Sequence, residues 1–182
     1  MRIIIPGGSG QVGRTLARHF HAEGRAVTVL SRNPRPAAWR MIKWDGLTPG
    51  AWVAELEQSD VCINLTGRSV NCRYNAKNRR AIYESRIRST LLLNQVIASL
   101  NQPPRLWVNA STATIYRHAL DRQMDEATGE LGGNEPGGTE HWNFPIDVAK
   151  AWEEAFFSVP TRAPARSDTQ RDHLQSGSRW SL

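Results

Sequence analysis

The residues best suited to chemistry stand at the start of the chain, where positions 6–13 read Pro-Gly-Gly-Ser-Gly-Gln-Val-Gly. Gly8, Gly10 and Gly13 fit G-x-G-x-x-G, and Gly7, Gly10 and Gly13 fit G-x-x-G-x-x-G, so Gly10 and Gly13 serve either register. Glycine is demanded for three reasons. The chain turns sharply from strand to helix, a Cβ at the middle position would block a pyrophosphate, and the last glycine lets the helix approach the sheet. The helix opened by Gln11 and Val12 then aims unpaired N–H groups and a partial positive charge at an anion. No Gly-Lys-Ser/Thr follows, so this is not a mononucleotide P-loop.

A second set of residues reads the rest of such a ligand. Dinucleotide sites for NAD place Asp or Glu at the end of the second strand, on the ribose 2′-hydroxyl. This chain has Ser31 and Arg32 there. A carboxylate repels a 2′-phosphate, whereas a guanidinium holds it through charge-assisted hydrogen bonds. The expected cofactor is therefore NADP(H).

The surrounding elements must hold that turn in place. Arg2 to Ile5 is a β-branched apolar run stopped by glycines, which reads as a buried strand. Gln11 to Glu23 carries Val12, Leu16 and Phe20 on one helical stripe, with Gly24 as its stop. Ala26 to Leu30 is the second strand, completing a βαβ unit. Strands are expected at Met41–Trp44, Val61–Leu65 and Leu106–Ala110. Helices are expected at Pro49–Glu57, Asn75–Leu100 and from about Ile146 to Phe157. The stretch from Gly129 to Gly138 is too glycine-rich for an element. This alternation predicts an α/β fold, a Rossmann-type doubly wound parallel sheet, incomplete at its C-terminal end.

Composition narrows the function classes. The 182 residues suit one domain, with 40% hydrophobic and 22% charged residues, a globular balance. No apolar run reaches the roughly 18 residues of a membrane span, and Ile3-Ile4-Ile5 is too short for a signal-peptide core. Cys62 and Cys72 make neither a disulfide scaffold nor a metal motif, and are expected as free thiols of a cytoplasmic protein. The net charge of +6 suits a phosphorylated ligand. Arg73, Lys77, Arg79, Arg80, Arg86 and Arg88 do not share one helix face, so they are read as a solvated face and no nucleic-acid partner is expected. His19 and His21 point to different sides of their helix, and His118, His141 and His173 have no metal-like partners, so no metal site is expected.

Taken in order, the segments resemble a known family. The turn Gly7–Gly13, Asp60-Val61-Cys62-Ile63-Asn64-Leu65-Thr66-Gly67, Ile82-Tyr83-Glu84-Ser85-Arg86-Ile87-Arg88-Ser89-Thr90, Asn109-Ala110-Ser111-Thr112-Ala113-Thr114-Ile115-Tyr116, Asp125-Glu126 and Trp152-Glu153 carry the resemblance. They are similar to extended short-chain dehydrogenase/reductases of the NAD(P)-dependent epimerase/dehydratase type, within them the atypical epimerase-family subgroup. The resemblance covers residues 1 to about 159 and implies several roles. Asn64, Leu65, Thr66 and Gly67 would line the cofactor, and Asp45 would lie near the adenine. Thr112 would hydrogen-bond the substrate. Lys150 would be the lysine of Tyr-x-x-x-Lys, holding the nicotinamide ribose and lowering the tyrosine pKa. Two copies of helix 75–100 would meet as a homodimer.

Two departures bear on mechanism. Ile146 stands four residues before Lys150, where the tyrosine belongs, and its alkyl side chain moves no proton. Tyr116 and Tyr83 are expected to pack or form a pocket wall. The family pattern stops after Phe157, and Pro160–Leu182 shows neither strand alternation nor a helical stripe. A dinucleotide-binding domain at 1–159 is therefore expected, followed by a polar tail at 160–182 that need not fold, as in a truncated or frameshifted product. The functional expectation is an NADP(H)-binding, epimerase- or oxidoreductase-like protein acting on an unknown small molecule. The alternative is a non-catalytic dinucleotide-binding module.

Overall fold

Ile3, Ile4 and Ile5 lie at the centre of a parallel sheet, and their alternation sets up its two faces. The computed structural model describes residues 1–133, 135 and 138–160, together with the backbone of Ala165–Ser167. The strands are β1 (Arg2–Pro6), β2 (Ala26–Ser31), β3 (Arg40–Lys43), β4 (Val61–Asn64), β5 (Leu106–Asn109) and β6 (Ala165–Ser167). They are ordered β3-β2-β1-β4-β5-β6, with every pairing parallel. The helices are α1 (Gln11–Ala22), α2 (Val53–Leu56), α3 (Ala76–Ser99) and α4 (Glu140–Phe157).

Odd and even strand positions bury against different layers. Ile3, Ile5, Val27 and Val29 pack with Ala17, Leu16 and Phe20 beneath α1. Ile4, Leu30, Cys62 and Trp107 pack with Leu92, Leu93, Val96 and Ile97 of α3 and with Phe156 of α4. Both faces are thus covered, which is why the strands read as apolar runs rather than alternating ones. Trp44, Trp52, Trp107 and Trp152 are all buried, and Trp39 packs half-buried on the α1 side. Cys62 is fully buried, which pushes its thiol pKa up, and both cysteines are free.

Helix boundaries follow local chemistry. Asn75 caps α3 by accepting a hydrogen bond from the Asn78 N–H at 2.9 Å. Gly24, at φ 72°, turns the chain out of α1 into β2. Two helices differ from expectation. α2 is a single turn rather than a helix from Pro49 to Glu57. α4 begins at Glu140, six residues before Ile146, with Thr139 as its cap and Pro145 inside it. Pro145, in the second turn, lacks the N–H that would bond back to His141 and crowds that carbonyl, so its cost falls near the helix start and leaves the later turns intact. Within the stretch expected as a polar tail, Ala165–Ser167 runs alongside Trp107–Asn109 as a sixth strand. The rest of 161–182 lies outside the described residues. The strand order reverses between β1 and β4, the switch point of a Rossmann-type doubly wound sheet.

Candidate functional site

The glycine turn spans that switch point, and the structure separates what each glycine does. Gly7 has φ 74°, and a Cβ there would lie 2.7 Å from the Leu65 carbonyl oxygen and 2.8 Å from Thr66 Cα. A Cβ on Gly8 would meet Ile5 at 2.9 Å, and one on Gly13 would stand 2.7 Å from the Gly8 carbonyl. These three are fixed by the protein's own packing. Gly10 is different, because its ordinary φ of −73° suits any residue and the nearest atom to an added Cβ is 3.8 Å away. Nothing in the fold requires glycine at 10. Open space at this position is what the seat of a pyrophosphate needs.

Gly10 is also the N-cap of α1, with no side chain capping the first turn and no acidic residue within it. The free N–H groups of that turn face an open mouth in which Val12 is 63% exposed. The residues present therefore fit the phosphates of a dinucleotide.

Along the crevice, Ser31 is buried at the end of β2, and its Oγ accepts the Asn33 N–H at 3.3 Å. Arg32 follows it, exposed, with no carboxylate partner among the described residues. The register sets Lys43 directly beside Ser31 on β3, a second cation at the same level. No residue pattern signals it, since the juxtaposition depends on strand pairing. Asp45 is occupied by its own loop. It accepts hydrogen bonds from the Thr48 hydroxyl at 2.7 Å, the Leu47 N–H at 2.7 Å and the Thr48 N–H at 2.8 Å. Those bonds, the Thr48 hydroxyl foremost, hold its carboxyl at about 2.

Beyond β4, Asn64 is fully buried and does not present its side chain to the crevice. Its Nδ2 donates to Asn109 Oδ1 at 2.7 Å and Thr90 Oγ1 at 3.0 Å. Its Oδ1 accepts from the Thr66 hydroxyl at 2.6 Å and the Thr66 N–H at 3.1 Å. Trp152 Nε1 joins by donating to Thr90 at 2.9 Å. The network ties β4, β5, α3 and α4 together and fixes where Leu65, Thr66 and Gly67 run. Asn64 positions the crevice wall, while Gly67 is exposed on it.

At the end of β5, Thr112 caps a single 3₁₀ turn, Ala113–Ile115, accepting the Thr114 N–H at 3.3 Å. Ser111 donates to the buried Glu153 at 2.6 Å. Lys150, half-buried on α4, brings its Nζ to within 3.3 Å of where a Cβ would stand on Gly133. A cavity of about 1120 Å³ opens beside these residues, walled in part by Tyr74, Thr114, Tyr116, Met124, Trp142 and Ile146. Tyr116 is buried on that wall, whereas Tyr83 is 42% exposed elsewhere on α3. Among the described residues, no three His, Cys, Asp or Glu side chains converge as metal ligands, and no helix is long and apolar enough to cross a membrane.

Two members of the basic helix depart from the solvated-face reading. Arg79 is half-buried, pairs with Glu140 and lies 5.2 Å from the Phe144 ring centroid. Arg86 is half-buried, with its guanidinium 5.2 Å from the Trp152 ring centroid. Residue types along α3 gave no sign of this, because only the packing of α4 creates both stacks.

Comparison with known proteins agrees with this architecture. The sequence profile of the NAD dependent epimerase/dehydratase family matches residues 3–138. The chain is 32% identical over 158 residues to the epimerase family protein SDR39U1 of Bos taurus, covering 85% of this chain and 48% of that one. It is 29% identical over 159 residues to the epimerase family protein YfhF of Bacillus subtilis, with the same coverage. The crystal structure of human SDR39U1 with NADPH superposes with a TM-score of 0.72 at 29% identity, over 92% of this chain and 52% of that one. The chain thus spans about half the length of the relatives it matches. Its glycine turn, its strand order and the matched span lead to one assignment: this chain belongs to the NAD dependent epimerase/dehydratase family.

Proposed function

We propose that the chain binds NADP(H) on the Gly7–Gly13 turn and serves as the dinucleotide-binding part of an epimerase- or oxidoreductase-like protein. The observation that carries this reading is Gly10, a glycine that the protein's own packing does not explain. The NADPH in the human SDR39U1 crystal structure supports the choice of cofactor.

When bound, the nicotinamide supplies a hydride acceptor or donor. The residues of this chain do the rest. The α1 N-terminus and Gly10 seat the pyrophosphate, Gln11 and Val12 contribute backbone N–H groups, and Arg32 with Lys43 reads a 2′-phosphate. Leu65, Thr66 and Gly67 form the wall, held by Asn64. Asp45 shapes the loop near the adenine end. Thr112 offers a hydroxyl to a substrate oxygen, and Lys150 a cation to the nicotinamide ribose.

Proton transfer is the weak point. Ile146, buried on the cavity wall, stands where the family's tyrosine would exchange a proton with a substrate oxygen. This favours a second reading, a module that binds NADP(H) without turning over a substrate.

Arg32→Ala tests the cofactor assignment. Removing one or two charge-assisted hydrogen bonds should weaken NADPH binding by roughly 10- to 100-fold and leave NADH affinity within about twofold. Calorimetric titration of both variants with both cofactors reads the ratio. An unchanged NADPH/NADH ratio would remove Arg32 from the site.

A further inference from the structure

We infer that the cavity lined by Arg73, Trp142 and Ile146 takes a flat, apolar molecule with a single negative charge, an aromatic carboxylate, and not a nucleoside diphosphate. The inference deepens the NADP(H) reading above and rests on it for where chemistry would occur. It names the class of small molecule that sits beside Thr112 and Lys150.

The cavity, at about 1120 Å³, has room for such a molecule. Much of its wall is apolar or aromatic, from Val70, Met124, Pro145 and Ile146 to Tyr74 and Trp142. Trp142 is 48% exposed, with its ring edge-on to His118 at 5.3 Å between centroids. An indole left half open at a cavity is surface that a flat ring can cover. A second part of the wall is held in place. Tyr74 packs on His141 at 5.1 Å and on Phe144 at 5.3 Å. Arg79 pairs with Glu140 at 2.5 Å and donates from Nε to the Tyr74 carbonyl at 3.1 Å. The run into α3 and the start of α4 are thereby clasped, so the aromatic lining is formed before a ligand arrives.

Charge sets the rest of the specificity. Among the described residues, the lining includes Arg73, Arg117 and Arg122 and no Asp or Glu. Two of these cations are already matched. Arg117 donates to Asp121 from Nη1 at 3.1 Å and Nη2 at 2.9 Å, and also pairs with Glu130. Arg122 pairs with Glu130 at 2.5 Å. Two arginines thus meet two carboxylates. Arg73 is exposed, with no carboxylate partner among the described residues. Its backbone is fixed, since its carbonyl accepts the Asn75 N–H at 2.9 Å and Asn78 Nδ2 at 2.8 Å. One unmatched guanidinium beside an apolar cavity selects one carboxylate, which it can hold bidentately. A nucleoside diphosphate brings more charge than Arg73 alone can match, and its sugar hydroxyls would meet a largely apolar wall.

The test is calorimetric titration of wild type, Arg73→Gln and Trp142→Ala with 1-naphthaleneacetate, its neutral amide, UDP-glucose and NADPH. Wild type should bind the acid about 10-fold more tightly than the amide, and more tightly than UDP-glucose. Arg73→Gln should weaken the acid about 10-fold and leave the amide within about twofold, erasing the preference. Trp142→Ala should weaken acid and amide alike, by about 5- to 20-fold. Both side chains are exposed, so both variants should melt cooperatively near the wild-type temperature. A wild type that binds no acid, binds acid and amide equally, or prefers UDP-glucose overturns the inference. An acid preference that survives in Arg73→Gln overturns it as well. A wild type that binds the acid but not NADPH overturns the cofactor reading and upholds the specificity of the cavity.

Discussion

Gly10→Asp will abolish dinucleotide binding while leaving the folded chain as stable as before, or more so. Position 10 is the N-cap of α1, with extended backbone and open space where the side chain would go. Aspartate is among the best residues for that position: its carboxylate accepts free N–H groups of the first turn and complements the helix dipole. The same carboxylate occupies the phosphate seat and repels the ligand. Loss of two or three hydrogen bonds to a charged group, each worth about 1.5–3 kcal/mol, lowers affinity by roughly 100-fold or more. Gly13→Ala should do the opposite kind of damage. Its Cβ would be forced into the backbone of Gly8, a collision only backbone movement relieves. Overpacking of this kind costs about 3 kcal/mol, or a melting temperature lower by roughly 6–12 °C. Thermal melts and NADPH titrations of the two variants separate the roles. A Gly10→Asp chain that is strongly destabilised, or that binds NADPH normally, would show that Gly10 is structural.

Asn64→Leu will cost more stability than any change on the crevice surface. The leucine keeps asparagine's branching but is bulkier, and it leaves the Thr66 N–H, the Thr66 hydroxyl and Asn109 Oδ1 without the partner they have in the native network. Each buried orphan costs about 1–3 kcal/mol, so a loss of about 4 kcal/mol is expected, near 10 °C in melting temperature. Remaining bonds soften the effect, since Thr66 also pairs with Ser89 at 2.6 Å. A urea melt of wild type and variant measures it. A change below about 1 kcal/mol would mean that water replaces the missing partner and that the network is not what holds the wall.

These predictions differ in how far the sequence alone reaches. The glycine turn, the βαβ unit and the parallel doubly wound class follow from local signals: β-branched runs, a helical stripe ending at Gly24, and glycines at fixed spacing. The placement of Arg32 just past the second strand was legible too, because that strand is an apolar run with a clear end. Asn64 was legible only as a lining residue. Its burial depends on Asn109 and Thr90, which are distant in sequence and meet through strand pairing and α3 packing. Lys43 came beside Ser31 by register, and Arg86 was turned inward by Trp152 from α4. The early start of α4 was hidden by Pro145 and by the glycines before it. The short β6 has no pattern of its own and is held by backbone pairing to β5.

The central claim is that the turn at Gly7–Gly13 binds NADP(H), and a thermal melt of the purified chain with and without cofactor tests it most directly. A ligand that binds only the folded state raises the melting temperature, by about 2.7 kcal/mol of added stability at 100 times its dissociation constant. The expected result is one cooperative transition moved upward by NADPH, and less by NADH at the same concentration. A cooperative transition that neither cofactor moves would contradict the claim.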